Sequence, residues 1–198
     1  MIDIETMGNT AGSAIVSIAA VQFDLETGKM GLMYEEHVSL ESCLKAGLSP
    51  NASTILWWLQ QDEAARKELV VGQTKARSLR NVLSSFQLWI ETTHKDPIVW
   101  GNSARFDLGI LESAFAACNI PLPWKFWNER CVRTLAELAP EIKRKTKFQG
   151  VAHHAIDDCV HQVRYTVATY RKLKGLPEVE IKQPEPVASV FSDDELPF

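Results

Sequence analysis

The segment Ile2-Asp3-Ile4-Glu5-Thr6 alternates apolar and polar residues, and the apolar run Ala14-Ile-Val-Ser-Ile-Ala-Ala-Val-Gln-Phe23 follows it. Strand side chains point alternately to two faces, so Ile2 and Ile4 can enter a core while Asp3 and Glu5 emerge together on the other side. Leu25-Glu-Thr-Gly-Lys29 reads as a turn, and residues 30–40 resume strand character. Three antiparallel strands are predicted. Helical patterns then take over. Ser53 caps a helix running to Gln61, residues 76–92 repeat apolar side chains at helical spacing, residues 108–118 form a helix closed by Asn119 and Pro121, and residues 155–173 form one stopped by Gly175 and Pro177. A short strand at 97–101 and a strand or turn entering a helix at 131–138 lie between them. Strands first, then helices alternating with strands, predict an α/β sheet covered by helices.

The chain of 198 residues is long enough for one substantial core, and its 45% apolar content is ordinary for a globular domain. Cys43, Cys118, Cys131 and Cys159 form no C-x-x-C pair, so neither a zinc site nor a disulfide framework is suggested, and a reduced cytoplasmic setting fits. The acidic start does not read as a signal peptide, and no apolar run reaches the roughly 18 residues of a membrane span. The net charge of −4 is unevenly distributed. Residues 175–198 hold six acids and one base, leaving residues 1–174 at +1, with Lys143, Arg144, Lys145 and Lys147 clustered where they can attract phosphates. The expected organisation is one folded domain over residues 1–174 and a flexible acidic tail over 175–198.

Three short contexts carry the chemistry. Asp3 and Glu5 share one side of a strand. Asp107 follows the strand Ile98-Val-Trp100 through Gly101-Asn-Ser-Ala-Arg-Phe106 and opens a helix, at the kind of strand-to-helix crevice where ligands bind. His153-His154-Ala155-Ile156-Asp157-Asp158 puts two imidazoles ahead of a helix and two carboxylates in its first turns. Each piece alone also has an ordinary explanation, as a solvated sheet face or as acids favoured at a helix N-terminus. Neighbouring helical residues point about 100° apart, so one of Asp157 and Asp158 is a bystander. Four carboxylates from different elements make an all-oxygen site suited to Mg²⁺ or Mn²⁺ rather than Zn²⁺. Two such ions roughly 3.5–4 Å apart can clamp a phosphodiester, and a histidine can deprotonate the attacking water.

In this order the three contexts resemble the motifs of the DEDDh exonucleases, the superfamily of polymerase proofreading subunits, oligoribonuclease and ribonuclease T. The five-residue step selects His153 with Asp158 over His154 and Asp157. Ser53-Thr-Ile-Leu-Trp-Trp58, Trp100-Gly-Asn-Ser-Ala-Arg-Phe-Asp107 and Trp127-Asn-Glu-Arg-Cys-Val-Arg-Thr134 are most similar to the bacterial and phage group that includes exodeoxyribonuclease VIII-like proteins and a mycobacterial exoribonuclease. The resemblance spans residues 2–173. It implies an RNase H-like fold with a mixed sheet, and stepwise 3′-to-5′ release of nucleoside monophosphates. It also implies Asp3, Glu5, Asp107 and Asp158 as metal ligands, His153 as the base, and Thr6 and Met7 against the terminal nucleotide. Trp57 and Trp58 are candidates for base stacking or for the core.

Ser192-Asp-Asp-Glu-Leu-Pro-Phe198 resembles the acidic tip of bacterial single-stranded DNA-binding proteins. That likeness implies docking of 193–198 on a protein partner, or a fold-back that mimics nucleic acid. The favoured expectation is an exonuclease on single-stranded DNA. An exoribonuclease is the near rival, and a nucleic-acid-binding recruitment module without turnover is the alternative of a different class.

Overall fold

A computed structural model describes residues 1–181. The antiparallel start is present as β1 (Ile2–Thr6), β2 (Ile15–Phe23) and β3 (Met30–His37). Parallel pairing then adds β4 (Val99–Gly101) to β1 and β5 (Glu129–Cys131) to β4. The strand order is β3-β2-β1-β4-β5, so β1 is the central strand and has neighbours of both orientations. This is the mixed α/β sheet flanked by helices that the motifs implied.

Alternation along β2 shows how the layers form. Ile18 and Ala20 join a cluster with Ile2 and Ile4 of β1, Leu83 and Phe86 of α4 (Leu79–Thr93), and Leu111 of α5 (Gly109–Ala117). Ala19 and Val21 join a second cluster with Val132 of α6 (Val132–Ala136) and Cys159 and Val163 of α8 (Ala155–Leu173). The sheet is therefore covered on both faces. With Ile2 and Ile4 committed to the α4 side, the carboxylates of Asp3 and Glu5 are directed to the α8 side.

The remaining helices are α1 (Leu40–Lys45), α2 (Ala52–Leu59), α3 (Glu63–Lys75) and α7 (Pro140–Lys145). The helix expected from Ser53 begins earlier, because Asn51 is the cap and its side chain accepts from the Ser53 N–H at 2.9 Å. Helix α3 leaves little periodic signal, since Ala65 and Gly72 are its only buried residues. Asp107 does not open a regular helix. Residues Ala104–Leu108 make a π-helical turn, and only then does α5 begin. Such wide turns are frequent at functional sites because they re-aim a side chain without ending the helix. Gly175 closes α8 with φ +66, the Gly175 N–H bonding Lys172 O and the Leu176 N–H bonding Arg171 O. Beyond this stop the chain continues beside the β2–β3 turn, where Ile181 packs against the second cluster. The acidic tip at 193–198 lies outside the described residues.

Phe86 is fully buried between Tyr34, at 5.0 Å between ring centroids, and Trp89, at 6.1 Å. Emptying this position removes a large apolar side chain and leaves a cavity. Phe86→Ala is expected to lower the unfolding free energy by about 3–5 kcal/mol in urea titration. A loss below about 1 kcal/mol is at odds with a core built on this ring.

Candidate active site

The site forms where β1, the π-helical turn after β4 and the start of α8 meet. A cleft of about 580 Å³ is lined by Asp3, Glu5, Asp107, His153 and Asp158 together. Glu5, His153 and Asp158 each offer a ligand atom, and these atoms lie within 4.8 Å of one another. Asp3 sits deeper, and Gln162 Nε2 donates to its Oδ1 at 2.6 Å. Asp107 is 2% exposed, and its Oδ2 accepts the Ser103 N–H at 3.1 Å, a bond within the wide turn. Gly101 permits this approach, because a Cβ there would stand 3.0 Å from Asp107 Oδ2 and 3.1 Å from its Cβ.

Gathering these acids is electrostatically unfavourable. Burial pushes the Asp3 carboxyl well above the usual range, the charges of Asp107 and Asp158 push further, and the Gln162 hydrogen bond opposes them. Burial likewise raises Glu5 strongly, with Asp3, Asp158 and Asp107 adding to the shift. Asp107 is pushed up to about 6 by burial, against the backbone N–H groups of Ser103 and Ile4 and the nearby Arg133 charge. Asp158 is raised by burial, with the neighbouring His153 opposing. Buried carboxyls that repel one another and have few compensating donors fit an oxygen-ligated divalent cation. The donor set suits a hard ion.

The loop that presents His153 is strained. His153 has φ +64, a conformation that L residues adopt at a cost of about 1–3 kcal/mol. Its backbone N–H donates to Asp158 Oδ2 at 2.9 Å, so the strained residue and the carboxylate five positions later hold each other. Just before it, Gly150 has φ +113, and a Cβ there would come within 2.4 Å of the Asp157 carboxylate. Asp157 Oδ2 accepts the Val151 N–H at 2.9 Å and pairs with His154 Nδ1 at 3.1 Å. The other ring nitrogen of His154 meets Glu35 Oε1 at 3.0 Å, a pairing that raises the imidazole to about 9. His154 and Asp157 thus brace the loop against β3 and do not line the cleft.

Thr6 lines the cleft, with its hydroxyl donating to Gly8 O at 2.6 Å. Met7, expected beside it against the terminal nucleotide, is instead packed in the core. The reason is the irregularity between Glu5 and Thr6, after which the Met7 N–H bonds Ala14 O and turns the chain inward. The two tryptophans divide. Trp58 is buried and donates from Nε1 to Thr6 O at 2.9 Å, whereas Trp57 is 41% exposed on the cleft with its ring 4.9 Å from that of His153. Gln162, Arg133 and Asn102 also line the cleft and had not been singled out. Gln162 was within reach of sequence reasoning, because it lies four residues after Asp158 on one helix face.

A family model for the 3'-5' exoribonuclease Rv2179c-like domain matches residues 1–170. The chain belongs to this family. An exodeoxyribonuclease of Enterobacteria phage T4 is similar to it, 26% identical over 208 residues that cover 89% of this chain and 90% of the phage protein. The protein is a 3′-5′ exonuclease of nucleic acids. An enzyme, rather than a recruitment module without turnover, is the class these matches support. Among the described residues, no helix is long and apolar enough to cross a membrane, and all four cysteines are unpaired.

The left-handed backbone at 153 separates two substitutions that both remove the imidazole. His153→Gly is expected to be more stable than His153→Ala by about 1 kcal/mol, measured by thermal or urea unfolding. The reverse order would remove backbone strain from the account of this loop.

Proposed function

We propose that the protein removes nucleotides from the 3′ end of single-stranded DNA, releasing nucleoside 5′-monophosphates, with a pair of Mg²⁺ or Mn²⁺ ions held by Asp3, Glu5, Asp107 and Asp158. The observation that carries this reading is the convergence of four carboxyls and one imidazole on a single cleft open enough for a strand end. When bound, the ions neutralise the phosphodiester and make water a stronger acid. Everything else is done by the chain itself. Asp3 is oriented by Gln162 and Asp107 by the Ser103 N–H, so the ligands are set before substrate arrives. The His153 imidazole accepts a proton from the attacking water, in a position fixed by the His153 N–H bond to Asp158. The half-exposed indole of Trp57 offers a stacking surface to the terminal base, and Thr6 borders the same end.

The preference for DNA rests on the phage exodeoxyribonuclease, which matches along nearly its whole length. RNA is the second reading, favoured by the family's name as an exoribonuclease domain. Matched end-labelled DNA and RNA single strands, digested with Mg²⁺ or Mn²⁺ and with a chelator, distinguish them. DNA is expected to shorten one nucleotide at a time from its 3′ end, and faster than RNA. Equal or faster loss of RNA overturns the DNA preference. Parental rates in Asp107→Asn would overturn the site. His153→Ala is expected to slow hydrolysis by about 10²–10⁴-fold, the usual worth of a general base.

Ion binding also has a readout independent of turnover. Because a cation relieves repulsion among the buried carboxyls only in the folded state, Mg²⁺ or Mn²⁺ is expected to raise the melting temperature of the parent and not that of Asp3→Asn. Equal shifts in both proteins would place the ion elsewhere.

A further inference from the structure

Charge around the cleft is divided between its two sides. On one side, beyond His153, stand Glu35 of β3, Glu68 of α3 and Asp157, gathered about His154. Even with His154 protonated among them, three carboxylates leave a net negative charge that repels a phosphodiester backbone. The other side is basic. Lys143, Arg144 and Lys145 form the last turn of α7, and Lys147 follows it, all of them exposed. Among the described residues none of these four makes a salt bridge, and the acid on the same helix, Glu141, pairs with Lys172.

The basic side is connected to the cleft through side chains in contact. Asn102 lines the cleft, and its Oδ1 accepts from the Tyr165 hydroxyl at 3.1 Å. Lys143 Nζ lies 5.5 Å from the centre of the Tyr165 ring. The Tyr165 ring also meets His161, at 5.3 Å between ring centroids, and His161 meets Phe148, at 5.0 Å. Tyr165 is itself fully buried, so it links Asn102 of the cleft to Lys143 from beneath and holds the start of the exposed basic patch close to the candidate ligands. Positively charged grooves track the backbone of single-stranded nucleic acids through its phosphates.

We propose that the body of the strand, on the 5′ side of the scissile bond, leaves the cleft past Asn102 and over α7, with Lys143, Arg144, Lys145 and Lys147 holding its phosphates. This rests on the exonuclease reading above and adds a direction to it. The 3′ end lies toward Trp57, and the rest of the strand runs away from the Glu35 side. The surface reads backbone charge and not sequence. A dinucleotide spans only the cleft, whereas a long strand reaches the lysines. Length is thus the variable that reveals the track.

The experiment uses the full chain with all four bases replaced, K143Q/R144Q/K145Q/K147Q, against the parent. Turnover of a dinucleotide is expected to be unchanged, while KM for a long single strand rises several-fold with kcat preserved. For the long strand, the slope of log affinity against log salt is expected to become shallower by at least about 1.4, since each phosphate contact on a single strand contributes about 0.7. An unchanged slope overturns the track, as does an equal loss on the dinucleotide and the long strand. If the parent itself leaves the dinucleotide intact while digesting long strands, the cleft reading survives but the division between cleft and track is overturned. Failure of the parent on every substrate sinks the exonuclease chemistry at this cleft, and with it the track.

Discussion

Four carboxyls converge in one largely buried place, and the rest of the architecture is arranged around that electrostatic cost. Desolvation alone disfavours each charge, and mutual repulsion raises Asp3 and Glu5 further. Such an arrangement persists only if the elements that carry the acids are held by something stronger. Here that is the apolar packing on both faces of the sheet, with Ile2, Ile4 and Ile18 on one side and Ala19, Val21 and Cys159 on the other. The same central strand that supplies two acids supplies two of the core isoleucines. Stability and the site are thereby coupled through five consecutive residues.

Precision comes from local devices rather than from the sheet itself. The π-helical turn aims Asp107 back toward β1, and Gly101 leaves room for it. The left-handed backbone of His153 is held by its bond to Asp158, and the loop before it by the pairing of Asp157 with Val151 and His154. Strain of this sort is tolerated where surrounding contacts over-determine the conformation. His154 and Asp157, adjacent to two site residues in sequence, face away from the cleft because neighbouring positions at the head of a helix diverge.

Net charge gives a poor view of this molecule. The whole chain is acidic, with a net charge of −4, yet acids concentrate at the site, beside β3 and near the end of the chain, while bases gather on α7. Exposed charges act over roughly 8–10 Å in physiological salt, so an approaching strand responds to the nearest patch and not to the total. A protein of this composition can bind polyanions if its bases are grouped.

The sequence by itself determined the alternation in β1, the antiparallel start and the end of α8 at Gly175, because strand and helix periods and glycine stops are local properties. That Asp3, Glu5, Asp107, His153 and Asp158 could meet in one cleft was also legible, since their spacing in three short motifs survives without coordinates. Only the tertiary structure decided that β4 and β5 lie parallel on the far side of β1, and that Met7 turns into the core while Thr6 stays at the cleft. It also decided that Trp58 is a strut and Trp57 a surface, and that Gln162 reaches Asp3 across 159 positions of sequence. The physical reason is common to all of these. Periodicity specifies which way a side chain points from its own element, but what it meets there depends on elements that long-range packing brings alongside.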